Sequence, residues 1–242
     1  MQEKMVIITQ CAGSKNNTNK CGFFKTEDGK KVIFVANLKL VPEEEKKEDV
    51  IFAHPDDSYK ISENEILTYR EALVRYNKNQ RDENPYSLCD ALSLYKPPIY
   101  QRLKNLNKNI TVYILSAGWG LVRGSFLLPH YDITFSSKSK VEKYKRRKLS
   151  EKSFNDFNHL KEDRKELSLN EYKIYVFITT NYLDLFYKLM KEIDVSENQI
   201  TIFHLSNNIL KKEKFNYELL NNAQRTNWHY TALEKFLSAK GL

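Results

Sequence analysis

The chain is short of the residues that build stapled, repetitive or low-complexity folds. Its 242 residues include only 3 Cys, 7 Gly and 6 Pro, which excludes a disulfide scaffold, a collagen-like repeat and a flexible linker as its main character. Cys11, Cys21 and Cys89 form no C-x-x-C pair, and no histidine stands near the first two to complete a zinc set. The cysteines are therefore expected to be free, in a reducing cytoplasm, and neither a metal nor another cofactor is expected. Long apolar runs are missing too. The chain opens with one basic residue, Lys4, and the short apolar stretch Met5 to Thr9, too little for a signal peptide or a membrane span. There is no G-x-x-x-x-G-K-[ST] loop and no G-x-S-x-G elbow, and Gly118-Trp119-Gly120 lacks the third glycine of a dinucleotide fingerprint. Nucleotide hydrolysis, dinucleotide redox chemistry and serine esterase chemistry all lose support.

What is present is a core and a charge. Hydrophobic residues make up 41% of the chain, with 15 Tyr and 13 Phe, enough to fill one large domain. Lys and Arg number 39 against 31 Asp and Glu, a net +8, which suits a polyanion such as nucleic acid if the charge clusters on one face. Eight basic residues crowd between Lys138 and Lys152, among them Lys143, Lys145, Arg146, Arg147 and Lys148. The stretch from Lys138 to Leu160 reads as a long polar helix whose basic stripe either contacts a DNA backbone or is a solvated face.

Four apolar runs mark buried strands: Met5 to Thr9, Ile110 to Leu115, Lys173 to Ile178 and Gln199 to Leu205. Helical patterns separate them, from Asn181 to Met190 and from Asn227 to Leu237 among others. Ser62-Glu63-Asn64-Glu65 has the form of a capping box before the helical spacing Ile66, Tyr69, Leu73, Tyr76. The expected fold is a single α/β domain over residues 1–242, with a central, mostly parallel four-stranded sheet flanked by helices. Residues 18–60 carry strand patterns at Lys31 to Ala36 and Val50 to Ala53 and read as a small β-rich insertion.

In such sheets ligands bind outside the carboxyl ends of the strands. The first strand delivers Gln10, Cys11, Ser14 and Lys15 to that rim. The second delivers Ser116, Gly118, Trp119 and Gly120, and Tyr131 and Asp132 follow in a Pro-His-Tyr-Asp segment that folds back over the same place. The third delivers Thr179, Thr180 and Asn181, and the fourth His204, Ser206 and Asn207. Each has a plainer reading. Gly13 and Ser14 suit a tight turn, Gly118 and Gly120 suit close packing, Asp132 and Asn207 suit helix caps, and His204 and Trp119 suit a core.

The segments Ile8-Thr9-Gln10-Cys11-Ala12-Gly13-Ser14-Lys15, Asp90-Ala91 with Leu94-Tyr95, Ile114-Leu115-Ser116-Ala117-Gly118-Trp119-Gly120-Leu121-Val122 and Leu128-Pro129-His130-Tyr131-Asp132 resemble the YaaA-like group of bacterial proteins. That group has Cys-Ser-x-x-Lys in its first turn and a tyrosine where Trp119 stands here. The resemblance implies a fold similar to the uracil-DNA glycosylase superfamily. It further implies a hydrolase that cleaves the N-glycosidic bond of a modified base in DNA, with a part in anti-phage defence. Asp132 and Gln10 would be catalytic. Cys11, Ser14, Lys15, Ser116, Gly118, Trp119, Gly120, Tyr131, His204 and Asn207 would hold the substrate, and the basic stripe its backbone. Two other expectations remain open: a non-catalytic DNA-binding protein of the stress response, and an enzyme acting on a free nucleoside or nucleotide.

Overall fold

A computed structural model describes residues 4–16, 20–62, 64–106, 109–136, 138–149, 154–164, 171–194, 199–205, 211–212, 214–220 and 227–242. In chain order the strands are β1 Lys4–Gln10, β2 Phe24–Lys25, β3 Lys31–Val35, β4 Val50–Ala53, β5 Ser58–Ser62, β6 Glu65–Thr68, β7 Cys89–Asp90, β8 Ile110–Ser116, β9 Gly120–Arg123, β10 Leu127–Leu128, β11 Tyr131–Asp132, β12 Phe157–Asn158, β13 Tyr172–Phe177, β14 Ile200–His204 and β15 Asn216–Leu219. The helices are α1 Tyr69–Asn79, α2 Ala91–Leu94, α3 Pro98–Lys104, α4 His159–Asp163, α5 Thr180–Met190 and α6 Trp228–Ala239.

The four apolar runs become β1, β8, β13 and β14. Val6, Ile7 and Ile8 are fully buried because β1 lies between two parallel neighbours, β8 and β13. Each such aliphatic side chain contributes on the order of 1.5–3 kcal/mol by leaving water. The expected four-stranded sheet is nevertheless wrong in size. The sheet has seven strands in the order β12-β9-β8-β1-β13-β14-β15. The added strands give weak sequence signals. β9 is four residues long and pairs antiparallel with β8 through a tight turn, β12 has two residues, and β15 is the polar edge sequence Asn-Tyr-Glu-Leu.

The region from β2 to β4 forms a second small sheet. β4 runs along one edge of β3, and β2 and β11 share the other edge end to end. Because Tyr131 and Asp132 pair with Phe34 and Val35, this sheet fixes the Pro-His-Tyr-Asp segment.

Three local expectations fail for physical reasons. The capping box belongs to α1 and is formed by Thr68 and Glu71. Ser62 and Glu65 are instead cross-strand partners in the β5–β6 hairpin, and Glu63 lies outside the described residues. The long basic helix from Lys138 does not form. The described part of that stretch holds one 3-10 turn, Lys143–Lys145, then β12 and the start of α4. Val141, Tyr144, Leu149 and Phe154 are spaced too unevenly for one helical stripe, and Tyr144 is buried against Val35 and Val41 of the small-sheet region. Finally, Cys21 and Cys89 are joined in a disulfide across 68 positions, and only Cys11 is free. No helix among the described residues is long and apolar enough to cross a membrane.

Candidate functional site

The carboxyl ends of β1, β13 and β14 open on a cleft of about 1240 Å³, larger than the roughly 300–1,000 Å³ usual for a small ligand. Its far wall is the segment from Asp132 to Lys145, and its floor includes the first turns of α5 and α6.

Gln10 ends β1 and is fixed from two sides. Its Oε1 accepts from the Thr179 backbone N–H at 2.7 Å and from the Thr179 hydroxyl at 2.8 Å. Its carbonyl accepts from the Tyr100 hydroxyl at 2.6 Å, which in turn meets Tyr230 Oη at 3.2 Å. The Thr179 N–H can only donate, so it sets the orientation of the Gln10 amide and turns Nε2 away from Thr179. Cys11 is buried, with Sγ 3.1 Å from the Tyr182 hydroxyl.

Lys15 is half-buried. Its Nζ stands 4.2 Å over the Tyr131 ring and has no ion pair among the described residues. Burial pushes its pKa down, Cys11 and Asp132 partly oppose this, and Lys145 adds to it. Asp132 is half-exposed at the cleft wall, where the Lys145 ammonium approaches to 3.3 Å and also meets Glu142 at 3.5 Å. At Lys145 burial opposes the charge, but Asp132, Tyr144 and Glu142 outweigh it and hold the ammonium above its ordinary pKa. Asp132 thus keeps a cation beside it without losing access to the cleft. His204, at the end of β14, is buried and also lines the cleft.

The second turn is elsewhere. Ser116, Gly118, Trp119 and Gly120 do not line the cleft; they form the buried connection between β8 and β9. The Ser116 hydroxyl accepts from the N–H groups of Gly118 and Trp119, both at 3.2 Å, and meets Tyr131 Oη at 2.9 Å. Tyr131 Oη continues to Tyr95 Oη at 2.8 Å. The turn's carbonyls are taken by two buried arginines. Arg147 donates to Ala117 O at 2.7 Å, and Arg70 donates to Gly118 O and Trp119 O, each at 3.2 Å. Asp156 neutralises Arg147 and Asp56 neutralises Arg70. Trp119 is fully buried against Phe34 and Phe157.

The structure therefore brings Gln10, Cys11, Lys15, Asp132, Lys145 and His204 to one cleft. It places Tyr131 directly behind them, its hydroxyl on Ser116. Ser14 is exposed outside the cleft, its carbonyl accepting from the Lys96 N–H. Of the expected backbone contacts, Arg147 is buried in the fold, and Arg146 donates to the carbonyls of Val141 and Lys138. Lys143 and Lys148 are exposed away from the cleft, whereas Lys138 and Lys140 line it. Asn207 and Ser206 lie outside the described residues. His229, in the first turn of α6, was not singled out by the sequence. The only signal was an imidazole between two aromatics, Trp228 and Tyr230, at a helix start, which reads equally as core. Among the described residues no three His, Cys, Asp or Glu side chains gather in a metal-binding arrangement.

No protein-family model matches this chain, and neither a curated protein nor a solved structure is significantly similar to it.

Proposed function

We propose that this chain is a DNA glycosylase, a hydrolase that flips a modified base into the cleft and cleaves its N-glycosidic bond. The observation that carries the reading is that Asp132 and Gln10, distant in sequence, open on one cleft among lysines. Cleavage passes through an oxocarbenium-like sugar, which a nearby carboxylate stabilises or to which it directs a water. Asp132 takes that role, with the Lys145 ammonium 3.3 Å away to orient it. Water adds to the anomeric carbon, the carbon–nitrogen bond breaks, and the base leaves with its electron pair and is protonated. Gln10 is rigid enough to read the base edge, and Lys15 supplies positive potential for the leaving base. Base flipping answers the inaccessibility of the bond in a stacked duplex. A cytoplasmic location and a part in anti-phage defence belong to this reading. A disulfide is unusual in a reducing compartment, so counting free thiols at Cys21 and Cys89 in protein from cells tests the compartment.

One observation favours a second reading, action on a free nucleoside or nucleotide. Three of the cleft-lining lysines, Lys15, Lys138 and Lys140, make no ion pair among the described residues, so the cleft can hold the charged group of a small substrate by itself. A single assay separates the readings. Purified protein is offered duplex DNA and single strands with modified bases, including glucosylated hydroxymethylcytosine, and free nucleosides and nucleotides. The glycosylase reading expects free base and alkali-labile abasic sites, with Asp132→Asn slower by at least about 100-fold. Release only from free nucleosides or nucleotides selects the second reading. DNA binding without release from any substrate, unchanged in Asp132→Asn, leaves a non-catalytic binding protein and overturns both.

A further inference from the structure

His229 is 4% exposed, and neither of its ring nitrogens has a hydrogen-bond partner among the described residues. Buried imidazoles are ordinarily satisfied, because an unmet donor or acceptor forfeits its hydration without return. This one lies on the cleft wall with its ring 3.9 Å from that of Tyr230, and Trp228 packs beside it. Burial lowers its pKa to about 4, so at neutral pH it carries one N–H donor and one acceptor.

Its backbone position adds a second kind of donor. α6 is a 12-residue helix whose N-cap, Asn227, has a left-handed backbone conformation and makes no side-chain cap. The first N–H groups of a helix carry the positive end of its dipole; in α6 those of Tyr230 and Thr231 donate to Asn227 O, which leaves those of Trp228 and His229 ahead of the helical ladder. Asn227, Trp228 and His229 all line the cleft. The start of α5 opens on the same space. Its N-cap, Thr179, also makes no side-chain cap, and Thr180 and Asn181 are at the wall. Gln10 ties the two starts together through Thr179 on one side and through Tyr100 to Tyr230 on the other. Lys138 and Lys140 line the cleft without an ion pair among the described residues. Two uncapped helix starts, an unpartnered buried imidazole and free ammonium groups match an anion with several acceptor oxygens.

We propose that the mouth of α6 is a phosphate subsite, in which the His229 side chain and the backbone N–H groups of Trp228 and His229 hold a phosphate ester. Its role as the holder of a nucleotide phosphate rests on the proposed function; phosphate binding itself does not. The same chemistry serves a free nucleotide and a DNA strand, so the test uses both.

Full-length protein labelled with 15N-histidine is titrated with inorganic phosphate, with chloride at matched ionic strength as the control. The ring resonances of His229 are expected to move with phosphate, saturably, and not with chloride. His229→Phe keeps the ring volume and is expected to weaken phosphate binding about tenfold or more. Lys143→Gln, outside the cleft, is expected to leave binding unchanged. Phosphate that leaves the His229 ring unmoved overturns the subsite, as does equal affinity in a folded His229→Phe variant. If that variant does not fold, the wild-type ring shift decides alone. A deoxynucleoside 5′-monophosphate and a short single strand are then compared, and the tighter of the two identifies the source. Asp132→Asn separates this inference from the reaction. Phosphate binding that persists when no substrate yields base sinks the glycosylase reading and leaves the subsite. Base release with an unmoved His229 does the reverse.

Discussion

The two turns that follow β1 and β8 look alike in sequence, each built from small and polar residues after a buried strand, yet they do opposite work. The first, from Gln10 to Lys15, leaves polar groups facing a cleft. The second, from Ser116 to Gly120, has its polar groups consumed within the fold. Its hydroxyl caps its own N–H groups, and Arg70 and Arg147 take its carbonyls. What separates them is their neighbours. β1 is central, and its end meets helix starts. β8 turns straight into antiparallel β9, and the small sheet and the segment beyond Thr134 close over the turn. A glycine-containing turn after a strand therefore does not by itself indicate a binding site.

The sharpest way to break this contrast is at the arginines. Arg147→Met strips Asp156, which is 1% exposed at its side chain, of its closest cation and leaves Ala117 O unpaired. Losing one partner of a buried pair costs about 3–5 kcal/mol, to be read from denaturant unfolding. Lys188, 3.1 Å from Asp156, places the effect toward the lower end. A smaller effect than this would make the second turn less locked than its hydrogen bonds indicate.

The glycines come next. Gly120 has φ +86°, and a Cβ there would stand 2.5 Å from Phe157 O, whereas one at Gly13 meets nothing within 4 Å. Gly120→Ala is expected to cost more than about 2 kcal/mol and Gly13→Ala to change stability by no more than about 0.5 kcal/mol, measured on the same unfolding curve. Equal effects would erase the distinction between the turns.

A third effect grows with acidity. Burial lowers the pKa values of His159 and His229 to about 4, below the usual 6.5, so each ring is neutral in the fold. Between pH 6.5 and 4 the unfolded chain binds more protons than the folded one. Stability is therefore intact above pH 6.5 and falls as the pH drops toward 4, by roughly a few kcal/mol in total. His159 Nδ1 accepts from the Arg123 N–H at 3.1 Å, so protonation must also break that bond. His159→Gln should flatten the pH profile of thermal unfolding; an unchanged slope would assign the loss to other groups.

The smallest expected change in stability is at Asp132. Its side chain is 48% exposed and its only ion-pair partner among the described residues is Lys145. Asp132→Asn should alter unfolding by no more than about 0.5–1 kcal/mol while slowing base release by at least about 100-fold. A large stability loss would make Asp132 a member of the structural set, like Ser116.

Hydrophobic patterning made the four central strands legible, because a strand buried on both faces must be apolar throughout. It also placed Gln10, Lys15 and Asp132 near strand ends. Patterning missed β9, β12 and β15, whose brevity or polarity leaves no period to read, and the Cys21–Cys89 bond, which depends on two distant chain segments meeting. The sequence fell short most at the basic stretch. Charge density alone could not tell that Arg147 would be buried with Asp156, that Arg146 would satisfy backbone carbonyls, or that Lys138 and Lys140 would line a cleft.

By itself, then, the sequence determined an α/β core whose parallel strands end in short polar turns, since both follow from local pattern and composition. Only the tertiary structure decided which turn faces solvent, which cations are spent on carbonyls, and that His229 lies at that rim with its nitrogens unmet. Those outcomes depend on which groups from remote segments arrive to satisfy each other's hydrogen bonds and charges, and no local pattern encodes that.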